Sequence, residues 1–320
     1  MMIYVKQLSI LCLAGWLTYL STAMAADDST LKRHFIMGGS ADNLRVISKQ
    51  ETDTTFNVYL TDLYKQYGTG WTLNVVIYPD VPALLAAFDK NEIDGYFGTP
   101  LDYLMRKDKV SKSLVAMKYR LAPIKQSFLI VARADEGVTK IEHLKNKRLS
   151  LALYQDMEAL YLNTVLLRHK LSEIPTFFST RVDVKTTNGA LMDVFFSKSD
   201  VAIVRENEFN IAAELNPQLL KKLIILEKSP PMLASVGVMN NKISDDDFSG
   251  LIATFSKVIN SDKGKALMGL VQVETIALVA PEDMRDVENM LSDLTLLRKL
   301  NTVVPKIAVT HDKTKIKRNP

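Results

Sequence analysis

Two stretches decide the fold: ALLAAFDKNEIDGYFGTPLDYL at residues 83–104 and ALMDVFFSKSDVAIVRENEF at residues 190–209. Laid over one another with one gap, both read as a helix, a polar turn, an aspartate, a hydrophobic strand and a polar helix start. Phe88 then matches Phe195, Asp94 matches Asp200, and Thr99 falls on Arg205. The first junction has a clear local logic. Thr99 is a good N-cap, Pro100 sits at the first helical position, and Asp102 completes a capping box. Any two βαβ units look alike over so short a span. Read as a true repeat, the pair implies two lobes, each an α/β sandwich sending a strand end and a helix start to a shared cleft. Gly98 permits close backbone approach and Thr99 offers a hydroxyl. The Thr99 and Arg205 junctions are therefore predicted to face one another across that cleft.

The rest of the chain alternates in the same way. KRHFIMGGS (32–40) reads as a strand ending in a Gly-Gly-Ser turn, FNVYLTDLYKQYG (56–68) as an amphipathic helix closed by Gly68, and WTLNVVIY (71–78) as a second strand. SFLIVAR (127–133) and RLSLALY (148–154) are strands, MEALYLNTVLLRHKL (157–171) a helix, and RVDVKT (181–186) an alternating strand. Pro230-Pro231 breaks the apolar region 222–240 into two runs, and helical segments over 245–260, 262–270 and 281–300 close the fold. Strands alternating with helices imply βαβ units and parallel pairing.

The N-terminus stands apart. Lys6 precedes the uncharged apolar run LSILCLAGWLTYL (8–20), and Ala23-Met24-Ala25 gives a small-x-small cleavage site. Residues 1–25 are expected to be an export signal. Cys12, the single cysteine, lies within that signal behind Leu11, which does not suit a lipidation site. The exported chain is then expected in the periplasm, unlipidated, with a core that holds without disulfides.

Net charge is +4, of which Lys6 contributes +1 and the segment 306–320 contributes +4, leaving the body at −1. A near-neutral body excludes a broad nucleic-acid face. The tail KIAVTHDKTKIKRNP reads as a solvated end, or as a contact with anionic lipid or a partner. Catalytic signatures are missing: no Gly-x-Ser-x-Gly, no phosphate-loop motif, no His-Glu-x-x-His. His34, His143, His169 and His311 show no ligand spacing. The chain is read as a non-enzyme without cofactor or metal.

Taken with the export signal, the segments NEIDGYFGTPLDYL, QSFLIVARADEGVTKIEHLKNKRLSLALYQ and DVFFSKSDVAIV resemble the phosphonate-binding branch of periplasmic substrate-binding proteins, the solute receptors of ABC importers. The resemblance covers roughly residues 33–285, and Asp94, Gly98, Pro100 and Tyr103 are its most specific part. It implies a two-lobed, type II-like fold in which each lobe holds a mixed, mostly parallel sheet with flanking helices. Two hinge crossings are implied near Tyr119–Ser127 and Glu227–Ala234. Lobe 1 would be 26–120 plus 232–285, lobe 2 would be 121–231, and 286–320 would be the end of a helix and the basic tail. The implied partners are a small-molecule ligand and a membrane permease, with no nucleic acid and a monomeric chain. A sensory adaptor reporting to a membrane kinase or cyclase would use the same closed surface.

The resemblance also places a ligand site. Its first wall would use Gly39, Ser40, Gly98, Thr99 and Tyr103, its hinge Gln126 and Ser127, and its second wall Tyr154, Gln155, Asp156, Arg205 and Glu206. One departure bears on the ligand. Phosphonate binders carry a small hydroxyl cluster at the first helix start of lobe 2, whereas this chain has Tyr154-Gln155-Asp156-Met157-Glu158. At ~4 Å and an effective dielectric near 20, each carboxylate would oppose an anion by about 4 kcal/mol before screening, against about 1 kcal/mol for a neutral hydrogen bond. A free phosphonate is therefore disfavoured, and a positive or neutral hydrogen-donating ligand is expected. Asp156 also reads as a plain N-cap. Arg205 reads either as a helix-start residue paired with Glu206 or Glu208, or as a clamp on a carboxylate. On the clamp reading, removing Arg205 should weaken binding while leaving the melting temperature of the empty protein nearly unchanged.

Overall fold

The computed structural model describes residues 34–41, 49–67, 72–111, 113–119, 122–152 and 156–310. The expected export signal at residues 1–25, Gly68, Tyr154, Gln155 and the basic tail from His311 lie outside the described residues. In chain order the first elements are β1 (His34–Ser40), α1 (Lys49–Glu51), α2 (Asn57–Gln66), β2 (Thr72–Tyr78), α3 (Val81–Asp89), β3 (Gly95–Gly98), α4 (Pro100–Leu104), β4 (Leu114–Tyr119) and β5 (Lys125–Gln126). There follow β6 (Phe128–Arg133), β7 (Arg148–Ala152), α5 (Asp156–Arg168), α6 (Ile174–Phe177), β8 (Thr180–Val184), α7 (Thr187–Phe195), β9 (Val201–Arg205), α8 (Glu206–Leu215), α9 (Leu219–Lys222) and β10 (Leu223–Lys228). The chain ends through β11 (Met232–Leu233), β12 (Val236–Met239), α10 (Asp245–Asn260), α11 (Asp262–Leu270), β13 (Val273–Val279) and α12 (Arg285–Thr310).

The two quoted stretches form one unit twice, α3-β3-α4 and α7-β9-α8. Equivalence extends to single hydrogen bonds. Asp94 accepts from the Ile36 N–H of β1 at 2.8 Å and donates its own N–H to the Ile36 carbonyl at 2.8 Å. Asp200 accepts from the Arg148 N–H of β7 at 2.8 Å and donates to the Arg148 carbonyl at 2.9 Å. Each helix ends in a left-handed residue three positions before its aspartate, Asn91 at φ 60° and Ser197 at φ 63°. The aspartates are thus clips that seat β3 beside β1 and β9 beside β7, both in parallel.

Two sheets result. The first runs β13-β4-β12-β3-β1-β2 and the second β10-β6-β9-β7-β8. Parallel pairing is confined to β2-β1-β3 and β8-β7-β9, and the other neighbours are antiparallel. The sheets are therefore mixed rather than mostly parallel, since parallel neighbours need a helical crossover and the strands entering and leaving the second sheet, β6 and β10, have none. Strands β6 and β9 are buried along nearly their whole length because helices cover both faces, which is why they read as continuous apolar runs. Phe128, Ile130 and Ile203 point to one core cluster, Leu129, Val131 and Val204 to the other.

The chain crosses between the sheets at β5 and β11, which pair antiparallel as Gln126 with Met232 and Lys125 with Leu233. Ser229 ties the two crossings, its Oγ accepting from Phe128 N–H at 2.8 Å. A third passage was not expected. β13, an edge strand on β4, leads through Met284 in the first core to α12, whose Val287, Met290 and Leu294 are buried in the second core against α5. Ion pairs Arg168–Asp293 at 2.5 Å and Arg298–Glu173 at 2.6 Å hold it there, while Lys107 beyond α4 reaches Glu288 at 2.6 Å.

Two local readings change. β13 was not anticipated, because its half-exposed pattern follows neither a helical nor a strict two-residue period. Gly38, Gly39 and Ser40 are strand residues rather than a turn. Glycine at 38 serves packing: a Cβ there would lie 2.4 Å from Leu84 Cδ1 and 2.5 Å from Ile93 Cδ1.

Candidate functional site

The carboxyl ends of β1 and β3 lie side by side, with Met37 opposite Gly95 and Gly38 opposite Tyr96, so Ser40 comes level with Gly98. Ser40 is fully buried and the next amide, Ala41 N–H, donates to the Tyr78 carbonyl at 2.8 Å. Thr99 caps α4 as its sequence requires. Its N–H and its hydroxyl both donate to Asp102 Oδ2 at 2.8 Å, and Asp102 N–H donates back to Thr99 Oγ1 at 3.2 Å. The hydroxyl's one proton is thereby committed, so toward a ligand Thr99 can only accept. Gly98 leaves room for this cap, since a Cβ would come within 2.8 Å of the Tyr96 ring and 3.0 Å of Asp102 Oδ2. Tyr103 is buried at the edge of the first core, as Ser40 is. It packs in the cluster of Leu84, Leu233 and Val236, with its hydroxyl toward Lys107 and Glu288.

The second wall starts at the first turn of α5. Asp156 touches solvent, yet protein crowds the volume around it, and this loss of hydration pushes its pKa up. The Asp102 carboxylate of the first wall and Glu158 push it further, while Arg181 works the other way. The α4 cap and the α5 start are thus close enough to repel. At the end of β9, Arg205 turns its Nε onto Glu158 Oε1 at 2.8 Å, with Glu208 3.9 Å from Nη1. The Glu158 side chain is 1% exposed and that of Arg205 32%. Glu206 is bonded to Lys228 Nζ at 2.5 Å. Arg205 therefore pairs with a residue 47 positions away rather than chiefly with its neighbours.

Beside Arg205 the chain crosses between the two sheets at β5. Glu206 N–H donates to the Ser127 carbonyl at 2.9 Å, holding Ser127 beside Arg205. Gln126 is 6% exposed, and its Oε1 has no hydrogen-bond partner among the described residues. A buried carbonyl oxygen left so is an open acceptor. Tyr119, at the end of β4, bonds Ser235 and feels the Arg205 charge, which links the second wall to both crossings. A separate groove of about 450 Å³, lined by Ser113, Phe248, Ile252 and Leu278 among others, sits over β13 and α10 and includes none of these residues.

Ser40, Gly98 and Thr99 are thus brought together at strand ends of the first sheet, and Arg205, Glu206 and Ser127 in the second, with Arg205 bonded into the first turn of α5 that Asp156 begins. Asp102 and Tyr119 were missed as members of the set, and Glu158, noted as a carboxylate opposing an anion, was missed as the partner of Arg205. The signal for Glu158 was present: α5 is apolar on most of its circumference, so a carboxylate in its first turn needs a cationic partner.

The family model for the periplasmic phosphonate substrate-binding proteins of ABC transporters matches residues 46–284. The chain belongs to that family. Members of the phosphonate-binding family are substrate-binding proteins of transporters, and their two-lobed fold is the one seen here. Solved structures of similar fold include XAC2383 from Xanthomonas citri bound to ATP, with TM-score 0.63 and 13% identity over 84% of this chain and 99% of that one. PhnD1 from Prochlorococcus marinus, in complex with methylphosphonate, gives 0.57 and 14% over 82% and 98%. A binding protein component of an ABC phosphonate transporter from Pseudomonas aeruginosa gives 0.55 and 13% over 88% and 100%. A search of the curated proteins found no match. Among the described residues no helix is long and apolar enough to cross a membrane.

Proposed function

We propose that this phosphonate-binding-family receptor takes a small ligand with a cationic or neutral hydrogen-donating group, closes two lobes over it, and delivers it to an ABC-type permease. The lobes are 26–120 plus 232–285 and 121–231, and residues 1–25 are removed on export. The observation that carries the reading is the surplus of acceptors: Asp156, desolvated and facing the Asp102 carboxylate, the open Gln126 Oε1, and an Arg205 already matched by Glu158. An ammonium group would lie between the acidic start of α5 and the α4 cap, near Gln126. The terminal nitrogens of Arg205 remain for a carboxylate at the other end. Ser40, Gly98, Thr99, Ser127 and Glu206 would shape the rest, with Tyr154 and Gln155 completing the α5 junction.

A thermal-shift screen of amines, amino acids and betaines beside methylphosphonate tests this, because a ligand at 100 times its Kd stabilises by about 2.7 kcal/mol. Amines and amino acids are expected to stabilise. Tight binding of methylphosphonate to the unaltered chain overturns the reading. Intact mass of the exported protein checks the cleavage: a start at Ala26 without lipid is expected, and a diacylglyceryl mass or a retained N-terminus rejects it.

A further inference from the structure

Glu158 is not a wall residue, since its side chain is 1% exposed. It stands in the first turn of α5, where the helix dipole tolerates a carboxylate, and its Oε1 accepts from Arg205 Nε at 2.8 Å. At this depth a carboxylate persists only with its partner. The mode of pairing is informative. Glu158 takes the Nε edge of the guanidinium, and Glu208, 3.9 Å from Nη1, is beyond hydrogen-bonding range. Arg205 is thus oriented and neutralised but not saturated, with its terminal nitrogens still able to donate.

We propose that Glu158 is a specificity-determining residue of the cleft: by cancelling the charge of Arg205 from behind, it makes the site reject ligands of net negative charge that a lone arginine would collect, while the terminal nitrogens stay able to bind the carboxylate of a zwitterion. The inference rests on the reading of the cleft given above. It adds that one buried carboxylate, out of reach of any ligand, sets the sign of the site. With its charge removed, Arg205 would keep only Glu208, 3.9 Å from Nη1, as a paired carboxylate, and an incoming anion would meet less opposition. Asp156 and Asp102 would remain to weaken, not abolish, that attraction.

Glu158→Gln tests this on the full exported chain. The amide is nearly isosteric and its carbonyl still accepts from Arg205 Nε, so geometry is kept while charge is lost. Titration calorimetry with methylphosphonate at low and high salt is the readout. The variant is expected to bind at least about tenfold tighter than the unaltered chain, with the gain reduced by salt and abolished in Glu158→Gln/Arg205→Gln. Glu158→Asp, which keeps the charge, should show no gain. A folded Glu158→Gln chain with unchanged methylphosphonate affinity overturns the proposal, as does an equal gain in Glu158→Asp. Should the Gln chain not fold, Glu158→Met, of similar volume and uncharged, carries the same expectation and the same refutation. The unaltered chain is a separate arm: tight methylphosphonate binding there refutes the ligand reading, whereas the variants judge Glu158.

Discussion

Asp156 carries a proton more readily in the folded chain than in the unfolded one, first because it is partly desolvated and then because Asp102 and Glu158 face it. The stability it contributes is therefore complete below the unfolded carboxyl pKa, about 3.9, and is lost as pH rises through the higher folded value. Ionised Asp156 opposes the empty fold at neutral pH. Asp156→Asn should raise the melting temperature of the empty protein at pH 7, by less than about 1 kcal/mol for so exposed a group, and the gain should vanish near pH 4. Asn caps a helix as well as Asp, so a plain cap predicts no change at either pH. Melts at the two pH values separate the accounts. Arg205 makes the complementary case. Arg205→Ala strands a buried carboxylate and should cost about 3 kcal/mol in urea unfolding, much of it recovered in Glu158→Ala/Arg205→Ala. That outcome replaces the near-unchanged melting temperature expected when Arg205 was read as a clamp alone.

At the scale of elements, the repeated unit stands on its aspartate clips. Burial works to raise the Asp200 pKa, but the side-chain and backbone hydrogen bonds from Arg148 outweigh it and hold the carboxyl below its usual value. Its stabilisation is present above the unfolded carboxyl pKa and is lost as pH falls through the folded one. Asp94 makes the same backbone bond, without an arginine partner among the described residues. Asp200→Ala should then cost about 2–3 kcal/mol and Asp94→Ala about 1–2 kcal/mol, as charge-assisted bonds are lost. Urea midpoints that reverse this order would remove the clip as the common device of the two units. This repeat was legible because its parts are contiguous: helix, left-handed turn, clip and strand fall within some 20 residues. The Thr99 cap was legible for the same reason. What escaped were features defined by distant partners. The Glu158–Arg205 pair spans 47 positions, and β13 depends on β4 for its neighbours.

Across the whole molecule, ligand-driven closure rests on contacts that differ between open and closed states, and α12 adds one such contact to the two hinge strands. Its inner face is part of the second core, so Leu294→Ala should cost about 2–4 kcal/mol, as core truncations do. It meets the first lobe through the partly buried Leu101 and Leu104 of α4 and through the exposed pair Lys107–Glu288 at 2.6 Å, with side chains 57% and 37% exposed. An exposed pair contributes about 0–1 kcal/mol, too little to matter for folding. The same amount is large for an open–closed balance. If the first lobe moves past α12, the bridge exists in one state, and removing it shifts apparent ligand affinity by its own worth, up to about fivefold. Glu288→Gln should therefore leave the melting temperature of the empty protein almost unchanged while altering both ligand affinity and the small-angle scattering radius of the empty chain. The sign of the shift identifies the state that carries the bridge: tighter binding places it in the open form, weaker binding in the closed one. Affinity and radius both untouched by Glu288→Gln would mean that α12 and α4 move as one piece, leaving β5 and β11 as the only articulation.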